Sequence, residues 1–326
     1  MAKLGMPTVV VKFIEAGIEA IQRSQRGIVA LILEDTKQVI DKLATKTNGH
    51  EVLPNPFLVY TVDDIPEELS DKNKDYILKA LKGYNKPPLK VVVYMMQQGG
   101  DKAGADRFQE PLKAMLTERF DYLAIPTIET AQLEYVATWV KTARENKFKK
   151  IKVVLPGSNA DYEGVINFGN TKVVTADREY KAAEYTARIA GLVAGTNMTQ
   201  SATYAPLTEV IDCDRYTQDE MDTMVNEGKF FIWYDGEKFK MSRAMNSLVT
   251  TSQEKLEGYQ TIKIVDIMDM IYDDIRKTAQ DSYIGKYTND YENKCLLISA
   301  ILGYFKQLEN ERLLQKDYST CEIDCE

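Results

Sequence analysis

Four aspartates follow one another closely in the stretch DIMDMIYDDI, residues 266–275. If this stretch is helical, Asp266, Asp269 and Asp273 lie on one face, because residues three and four apart are neighbours on a helix. Clustered carboxylates can hold a divalent cation. They can also form an ordinary solvated face opposite a stripe of Ile, Met and Tyr side chains that packs on the core. The pattern favours the solvated face.

The loops between elements offer little further chemistry. QQGGDKAGADRF (97–108) contains neither G-x-G-x-x-G nor G-x-x-x-x-G-K-[ST], so a plain strand-to-helix loop is favoured over a phosphate site. IPTIET (125–130) and LPGSNAD (155–161) offer Thr, Ser and Asp side chains. These loops contain no histidine partner to activate a nucleophile. With His50 as the only histidine of the chain, acid–base chemistry would fall to Asp, Glu, Lys or Tyr. This lack of a catalytic constellation favours a binding or structural role.

Composition narrows the class of protein. The 326 residues include 44% hydrophobic and 28% charged residues, which is typical of a globular chain. The sequence contains no run of about 18 apolar residues and no secretory signal pattern at its start, which predicts synthesis in the cytoplasm and no membrane insertion. The net charge of −8 argues against broad nucleic-acid binding.

The four cysteines predict neither a disulfide framework nor a metal site. Cys321 and Cys325 form a C-x3-C pair, but a metal would need two more ligands and His50 is far away in sequence. The spacing of the four cysteines, with the other two at Cys213 and Cys295, suggests no disulfide framework and fits a reducing compartment. We therefore predict no metal and no cofactor.

The elements that would position these residues alternate between strand and helix. GIVALILE (27–34) is a continuous apolar run, as expected of a strand buried on both faces. Further strands are predicted at 89–96, 121–127, 149–157 and 171–175. Helices are predicted at 70–83, 106–120, 130–146 and 178–195. The alternation predicts an α/β fold with a doubly wound, mostly parallel sheet over residues 27–195.

After Pro206 the pattern changes to an α+β region, which we assign to residues 196–326. Residues 220–250 predict a helix and then a hairpin with a type I′ turn at Asp235-Gly236. Long helices are predicted at 262–285, ending at Gly285, and at 290–314. Residues 1–26 remain as an N-terminal arm with a predicted strand at 7–13, PTVVVKF.

The stretch RIAGLVAGTNMTQSATYAPLTEV (188–210) carries two glycines four residues apart, at Gly191 and Gly195. Such spacing lets two elements approach closely, and in this chain it predicts tight packing of a helix on the sheet. A phosphate site is disfavoured, because the glycines end a helix and do not begin one.

This stretch, extended to EYTARIAGLVAGTNMTQSATYAPLTEV (184–210), resembles the most recognisable block of contractile phage tail sheath proteins. MPTVVVKFIEAGIEAIQRSQRGIVALIL (6–33) is similar to their N-terminal strand and the start of their first domain. Blocks similar to the short-sheath branch of Gram-positive prophages and R-type bacteriocins lie at 61–83, 89–94, 226–250 and 263–278. The blocks follow one another in family order from residue 6 to about residue 316.

The resemblance implies a structural subunit, not an enzyme, that forms stacked hexameric rings around an inner tube. The helical polymer would contract after a baseplate signal and drive the tube through a target cell envelope. Its implied partners are other copies of the chain, the tube protein, the baseplate and a tail terminator, with no nucleic acid, nucleotide or cofactor. The expected location is a virion or phage-tail-like particle, assembled in the bacterial cytoplasm.

In the family, terminal arms add strands to neighbouring subunits. Here Pro7, Val9, Val11 and Phe13 would fill alternating pockets of a neighbour's sheet, with an arm hinge between Gly17 and Gly27. The alternative is that residues 7–13 join the edge of their own sheet. The chain has only a hint of the family's C-terminal arm at 317–326, which predicts difficulty in completing the mesh and monomers in solution.

Contact with the tube should be modest and electrostatic, because the sheath has to slide off. The candidates are Lys306, Arg312 and Lys316 in the last predicted helix, and the alternative is an ordinary solvated face. Two other functions remain as alternatives: an α/β enzyme that binds a small molecule at loops 97–106 and 156–161, and an intracellular scaffold unrelated to phage. Sheath-like tubes in electron micrographs would support the sheath function over both the enzyme and the scaffold.

Overall fold

The computed structural model describes residues 20–45, 55–99 and 104–323. Its contacts form two compact units. One runs from Gln25 to Met270, and the other contains the segment that ends at Ser24 together with the chain from Ile271 onward. Among the described residues, no helix has the length and apolar character needed to cross a membrane.

The larger unit is built on a seven-stranded sheet. Its strands are β1 (Ile28–Asp35), β2 (Phe57–Val59), β3 (Lys90–Gln97), β4 (Tyr122–Ala124), β5 (Lys152–Pro156), β6 (Val165–Phe168) and β10 (Lys229–Phe230). They lie in the order β10-β6-β5-β4-β1-β3-β2, and only the pairing of β2 with β3 is antiparallel. The prediction of a doubly wound, mostly parallel sheet is confirmed.

Helices cover both faces of this sheet. The α-helices of the described residues are α1 (Lys37–Thr45), α2 (Asp71–Leu81), α3 (Gln109–Met115), α4 (Leu133–Glu145), α5 (Ala182–Ala194), α6 (Gln218–Asn226), α7 (Ile262–Thr278) and α8 (Tyr291–Asn310). Alternate residues of β1 belong to different cores: Leu31 joins the cluster that contains α2 and α5, and Ile32 joins the cluster that contains α3 and α4. The continuous apolar run of β1 therefore reflects burial on two faces.

The strand at 171–175 exists but does not belong to the parallel sheet. It is β7 (Lys172–Thr175), which pairs antiparallel with β8 (Glu179–Lys181) and β9 (Val210–Cys213) in a separate sheet. The fifth parallel strand is β6, which follows β5 after a short loop and not after a helix. Because parallel strands are usually joined through a helix, the sequence pattern did not indicate a parallel strand at β6. Because β8 takes residues 179–181, the helix predicted from 178 begins at Ala182.

The predicted hairpin forms from β11 (Ile232–Tyr234) and β12 (Phe239–Met241), but the type I′ turn was wrong. Tyr234 pairs with Phe239, so the loop contains the four residues between them. The Asp235 carboxylate accepts hydrogen bonds from the backbone N–H of Glu237 (2.9 Å) and Lys238 (2.7 Å), which closes this longer loop.

Two asparagine side chains bond the backbone of strand residues in the place of a neighbouring strand. Asn170 donates from Nδ2 to the Ile232 carbonyl (3.0 Å) and accepts at Oδ1 from the Ile232 N–H (2.6 Å), on β11. Asn55 makes the same pair of bonds with the backbone of Met95 on β3, both at 2.9 Å. Each amide therefore satisfies a donor and an acceptor that another strand would otherwise take.

The helix α5 packs on the sheet at β1, β4 and β5 as predicted, but its glycines Gly191 and Gly195 face α2 and the chain after it. A Cβ at Gly191 of α5 would lie 2.0 Å from the carbonyl oxygen of Ala80 in α2. A Cβ at Gly195 would lie 2.2 Å from the Lys86 carbonyl oxygen, in the chain that follows α2. The small residues therefore let the backbones of α5 and α2 meet on one face of the sheet.

The boundaries of the last two helices also differ from prediction. α7 ends at Thr278 and continues as one wide turn over Ala279–Tyr283 before Gly285, which has φ +77°. α8 ends at Asn310, four residues before the predicted end. The division at 195/196 remains a prediction about assembly roles, whereas the compact unit continues to Met270 and includes β10.

Candidate assembly site

The predicted strand-exchange residues Pro7, Val9, Val11 and Phe13, and the hinge residue Gly17, lie outside the described residues. The root of the arm, from Ala20 onward, is described. The contacts of this root show how the arm is attached to its own subunit.

The root of the arm runs along α7. Ile21 is buried, and the Gln22 N–H donates to Thr278 Oγ1 at 3.0 Å. One helical turn earlier, Asp274 Oδ1 accepts from the Ser24 N–H at 2.7 Å and from the Ser24 hydroxyl at 2.5 Å. Alternate backbone amides of the root therefore bond side chains one turn apart on α7.

Asp274 also joins this root to α8. It is fully buried, with 0% exposure, and its Oδ2 accepts from the Tyr304 hydroxyl at 2.6 Å. The Arg23 guanidinium lies over the Tyr304 ring, 5.4 Å from the centroid, and forms an ion pair with Glu311. One carboxylate thus accepts three hydrogen bonds from two different segments. A buried charge needs such partners to offset its lost hydration.

Gly27, the other hinge candidate, lies at the start of β1 with φ +81°. Its N–H donates to Asp121 Oδ2 at 2.7 Å, and its carbonyl accepts from the Leu89 N–H at 2.7 Å. The Arg26 guanidinium donates to Asp121 Oδ1 at 3.0 Å. The backbone on both sides of Gly27 is therefore held, and its role as a hinge remains a prediction.

The solvated face predicted for the α7 aspartates was wrong for Asp269, which is 3% exposed, as it was for the buried Asp274. Asp269 accepts two hydrogen bonds from Arg144 of α4, at 2.8 and 2.9 Å, and one from Lys152 Nζ of β5 at 2.5 Å. Lys152 Nζ also lies 3.0 Å from Asp266 Oδ1. A lysine ammonium therefore occupies the position between two carboxylates that a cation would need.

The electrostatics of this cluster follow from burial and pairing. Burial alone would raise the pKa of Asp269, but Lys152 and Arg144 hold it below its usual value. Burial would likewise lower the pKa of Lys152, but Asp269 and Asp266 raise it. Asp269, Lys152 and Arg144 are therefore charged near neutral pH. The sequence signal for this cluster was Lys152 directly before the apolar residues of β5.

The crevice at the carboxyl ends of the parallel strands, where α/β enzymes bind ligands, is filled at β1. Glu34, near the end of β1, forms an ion pair with Arg107 and accepts a hydrogen bond from the Thr127 hydroxyl at 2.5 Å. These contacts place the chain around residue 107 over the strand ends.

A cavity of about 540 Å³ lies at the other candidate loop, between α4 and residues 157–162. Ser158 contributes a hydroxyl, and Glu134 and Lys141 contribute charges, but no histidine lines it. Among the described residues, no group of three or more His, Cys, Asp and Glu side chains is arranged to hold a metal ion. Within the described part of the chain, the cavity thus has no nucleophile–histidine pair.

The three residues predicted to face the tube do not share one helix. Lys306 is exposed on α8, whereas Arg312, with φ +62°, and Lys316 are exposed beyond the end of the helix at Asn310. Their role stays a prediction.

The sequence matches two family descriptions in succession. Residues 101–247 match the phage tail sheath protein central domain, and residues 254–326 match the phage tail sheath C-terminal domain. The chain is 34% identical over 327 residues to the tail sheath protein of Clostridium phage phiCD119, covering 99% of this chain and 85% of that protein. It is 30% identical over 184 residues to the phage-like element PBSX protein XkdK of Bacillus subtilis, covering 55% of this chain and 40% of XkdK.

Solved structures share the fold at low sequence identity. The sheath tail protein of Desulfitobacterium hafniense superposes with a TM-score of 0.75 at 19% identity, covering 93% of this chain and 89% of that one. The contracted helical sheath of the anti-feeding prophage superposes with a TM-score of 0.69 at 12% identity, covering 97% of this chain and 87% of that one.

Proposed function

Because the chain belongs to the phage tail sheath family, we propose that its copies stack as hexameric rings around an inner tail tube. The protein is a structural subunit of a contractile tail sheath and not an enzyme. The observation that carries the proposal is the root of the arm. Ile21–Ser24 is bound to α7 and α8, so the arm starts beside the helices of the region that matches the sheath C-terminal domain.

In this proposal, residues 7–13 add a strand to a neighbouring subunit, with Pro7, Val9, Val11 and Phe13 in its pockets. Main-chain hydrogen bonds of an added strand supply affinity, and alternate side chains supply specificity. The connected subunits contract together when the baseplate triggers a change between two packings of the polymer. Contraction drives the tube through the target envelope. The other partners are the tube, the baseplate and a tail terminator, and assembly takes place in the host cytoplasm.

Electron microscopy of the chain co-produced with its tube protein tests this proposal. We expect sheath-like tubes with a helical repeat. Soluble, unassembled protein in the presence of tube and baseplate would contradict it. A stable small-molecule complex at the cavity beside α4 would instead favour the enzyme alternative.

Deletion of residues 1–19 is expected to abolish polymerisation and to leave the fold intact. The cut removes the predicted exchange strand but keeps Ile21, Gln22 and Ser24, whose bonds to α7 belong to the subunit itself. Sedimentation and microscopy would measure assembly, and circular dichroism would measure folding. Tubes of normal length from the deletion variant would remove the strand-exchange claim. A matched control replaces residues 1–6, which precede the strand, with a Gly/Ser sequence and should still assemble.

Charge reversal at Lys306 and Lys316 is expected to weaken binding to the tube by about tenfold in low salt. Exposed charges interact over roughly 10 Å at 0.1 M salt, so the loss should shrink as salt rises. The measurement is co-sedimentation of sheath with preformed tubes at two salt concentrations. Lys277→Glu, at an exposed position of α7, is the matched control. Equal effects of both changes would assign Lys306 and Lys316 to a solvated face.

A further inference from the structure

We propose that the cavity between α4 and residues 157–162 binds side chains of the acidic helix α6 from a second copy of the chain. This contact rests on the proposed function for its role in the sheath, and it names two surfaces through which neighbouring subunits meet. Both surfaces belong to the compact unit Gln25–Met270.

The cavity presents hydrogen-bond donors that the described part of the subunit does not use. Ser158 is 4% exposed and lines the cavity of about 540 Å³, and among the described residues its hydroxyl forms no hydrogen bond. A hydroxyl with so little contact with water gains from a partner that supplies an acceptor. On the facing helix, the Lys141 ammonium lies 5.8 Å from the centre of the Tyr162 ring. A fitting ligand is therefore rich in acceptors.

The charges of the cavity have a direction. Glu134 and Lys141 both line it, seven residues apart on α4, which corresponds to about 10 Å along the helix axis. Within the described part of the chain, neither forms an ion pair. The wall is also apolar, at Leu133, Ala137 and Tyr162. The cavity therefore fits a segment with an anionic end at Lys141 and a cationic end at Glu134.

The helix α6 and its flanking residues carry the matching charges. Residues 217–229 contain one ammonium, that of Lys229, which follows the end of the helix. Their four carboxylates belong to Asp219, Glu220, Asp222 and Glu227. An antiparallel arrangement of α6 on α4 places Asp219 and Asp222 near Lys141. The same arrangement places Lys229 near Glu134.

The outer face of α6 is unfavourable in the free subunit. Of the nine residues of the helix only Met224 is buried. Asp219 and Asp222 are exposed three residues apart, and like charges at this spacing repel each other on a helix. Lys229 forms its ion pair with Glu227, at 2.5 Å, and so leaves this repulsion in place. A cationic partner removes the repulsion, which stabilises the face in the complex.

The two surfaces differ from each other, so the contact is of the head-to-tail kind. In its own subunit α6 packs beside β10, whereas the cavity lies beside α4. A pair of subunits joined in this way keeps one open cavity and one uncovered α6. Such contacts continue into a closed ring or an open helix and do not stop at a dimer. The contact is therefore suited to the rings and the helical polymer of the proposed function.

Cross-linking between isotopically distinct copies tests the contact. Full-length subunits, half of them labelled with heavy nitrogen, are polymerised with the tube protein and treated with a carbodiimide, which joins an ammonium to a carboxylate in contact with it. We expect mixed-isotope peptides that join Lys141 to Asp219 or Asp222, about tenfold more abundant than those from Lys113, an exposed lysine of α3. Cross-links from Lys141 only to other carboxylates, or to the tube protein, would assign the cavity to another occupant and overturn the proposal.

Charge reversal with rescue tests the same pairing. Lys141→Glu should lower the yield of tubes about tenfold, because like charges then meet at the contact. Asp222→Lys should have a similar effect, and the double variant should return to within about threefold of wild type. Lys113→Glu is the matched control and should assemble normally. Circular dichroism checks that each variant folds. A double variant that assembles no better than the single variants would rule out the pairing.

Ser158→Ala tests the cavity without changing its charge. The hydroxyl has no hydrogen bond among the described residues, so the stability of the free subunit in urea should be unchanged. Assembly should weaken about threefold, as expected for the loss of one hydrogen bond to a partner. A loss of stability with unchanged assembly would show that the hydroxyl serves the fold, and would contradict the proposal.

The contact and the proposed function fail separately. If tubes form but the Lys141 cross-links to α6 are absent, the sheath function stands and the contact is wrong. If no tubes form with the tube protein, the same cross-linking is carried out on concentrated subunits alone. Mixed-isotope peptides that join Lys141 to Asp222 would then support the contact and reject the function, and their absence would reject both.

Discussion

Replacing Gly191 with alanine is expected to lower the free energy of unfolding by about 3 kcal/mol or more, at the upper end of overpacking penalties. The new Cβ would lie 2.0 Å from the Ala80 carbonyl oxygen and 2.8 Å from Ala80 Cα. Both are backbone atoms of α2, so no side-chain rotation relieves the contact. The two helices would have to move apart and expose the apolar core beneath them.

The matched control is Gly303→Ala in α8, where an added Cβ meets no atom within 4 Å. There the substitution should stabilise by about 0.5–1 kcal/mol, because alanine loses less backbone entropy in a helix than glycine. Urea unfolding followed by circular dichroism measures both variants. Similar, small effects at the two glycines would show that α2 and α5 do not pack backbone to backbone.

Asp269→Asn is expected to lower the free energy of unfolding by about 3–5 kcal/mol. The neutral side chain would remove the carboxylate that Arg144 and Lys152 share, in a place where their side chains are only 5% and 1% exposed, and would leave Lys152 with Asp266 as its paired carboxylate. Losing one partner of a buried ion pair is more damaging than replacing the whole pair by apolar residues. The control is Asp212→Asn, whose partner Arg215 is 54% exposed, and its expected effect is below about 1 kcal/mol.

The contribution of Asp269 to the free energy of unfolding should decrease as the pH falls into the acid range. Its pKa in the folded protein is below the value of about 3.9 for an unfolded chain. The stabilisation is therefore complete above about pH 4 and is lost as the pH falls through the folded-state pKa. The difference in stability between wild type and Asp269→Asn should shrink over that acid range. A constant difference from pH 7 to pH 2 would contradict the assignment.

Much of the fold followed from local pattern. β1 is buried along nearly its whole length, so a continuous apolar run predicts it. The start of α2 after Ser70 is likewise predicted by residues next to one another in the sequence. The strand β6 did not follow, because its four residues and its helix-free connection to β5 give neither a length nor a spacing signal. The misplacement of β7 had the same origin. A strand's propensity does not specify which sheet it joins.

The buried charges could not be predicted because their partners are distant in sequence. Asp269 lies 125 residues from Arg144 and 117 from Lys152, so helical periodicity assigned it to a solvated face. The hydrogen bonds of Asp274 could not be predicted for the same reason, since Ser24 is 250 residues away. The local sequence around a carboxylate on an amphipathic helix is the same whether the carboxylate faces water or pairs with an arginine that is distant in sequence.

The amides of Asn170 and Asn55 have a consequence for how the subunit can meet other chains. An unpaired strand edge invites pairing with any other chain and leads to aggregation. Here a side chain already satisfies the N–H and carbonyl of Ile232, and another satisfies those of Met95. At these two positions the backbone groups are therefore not available to an added strand. We expect strand addition by another chain to use other positions.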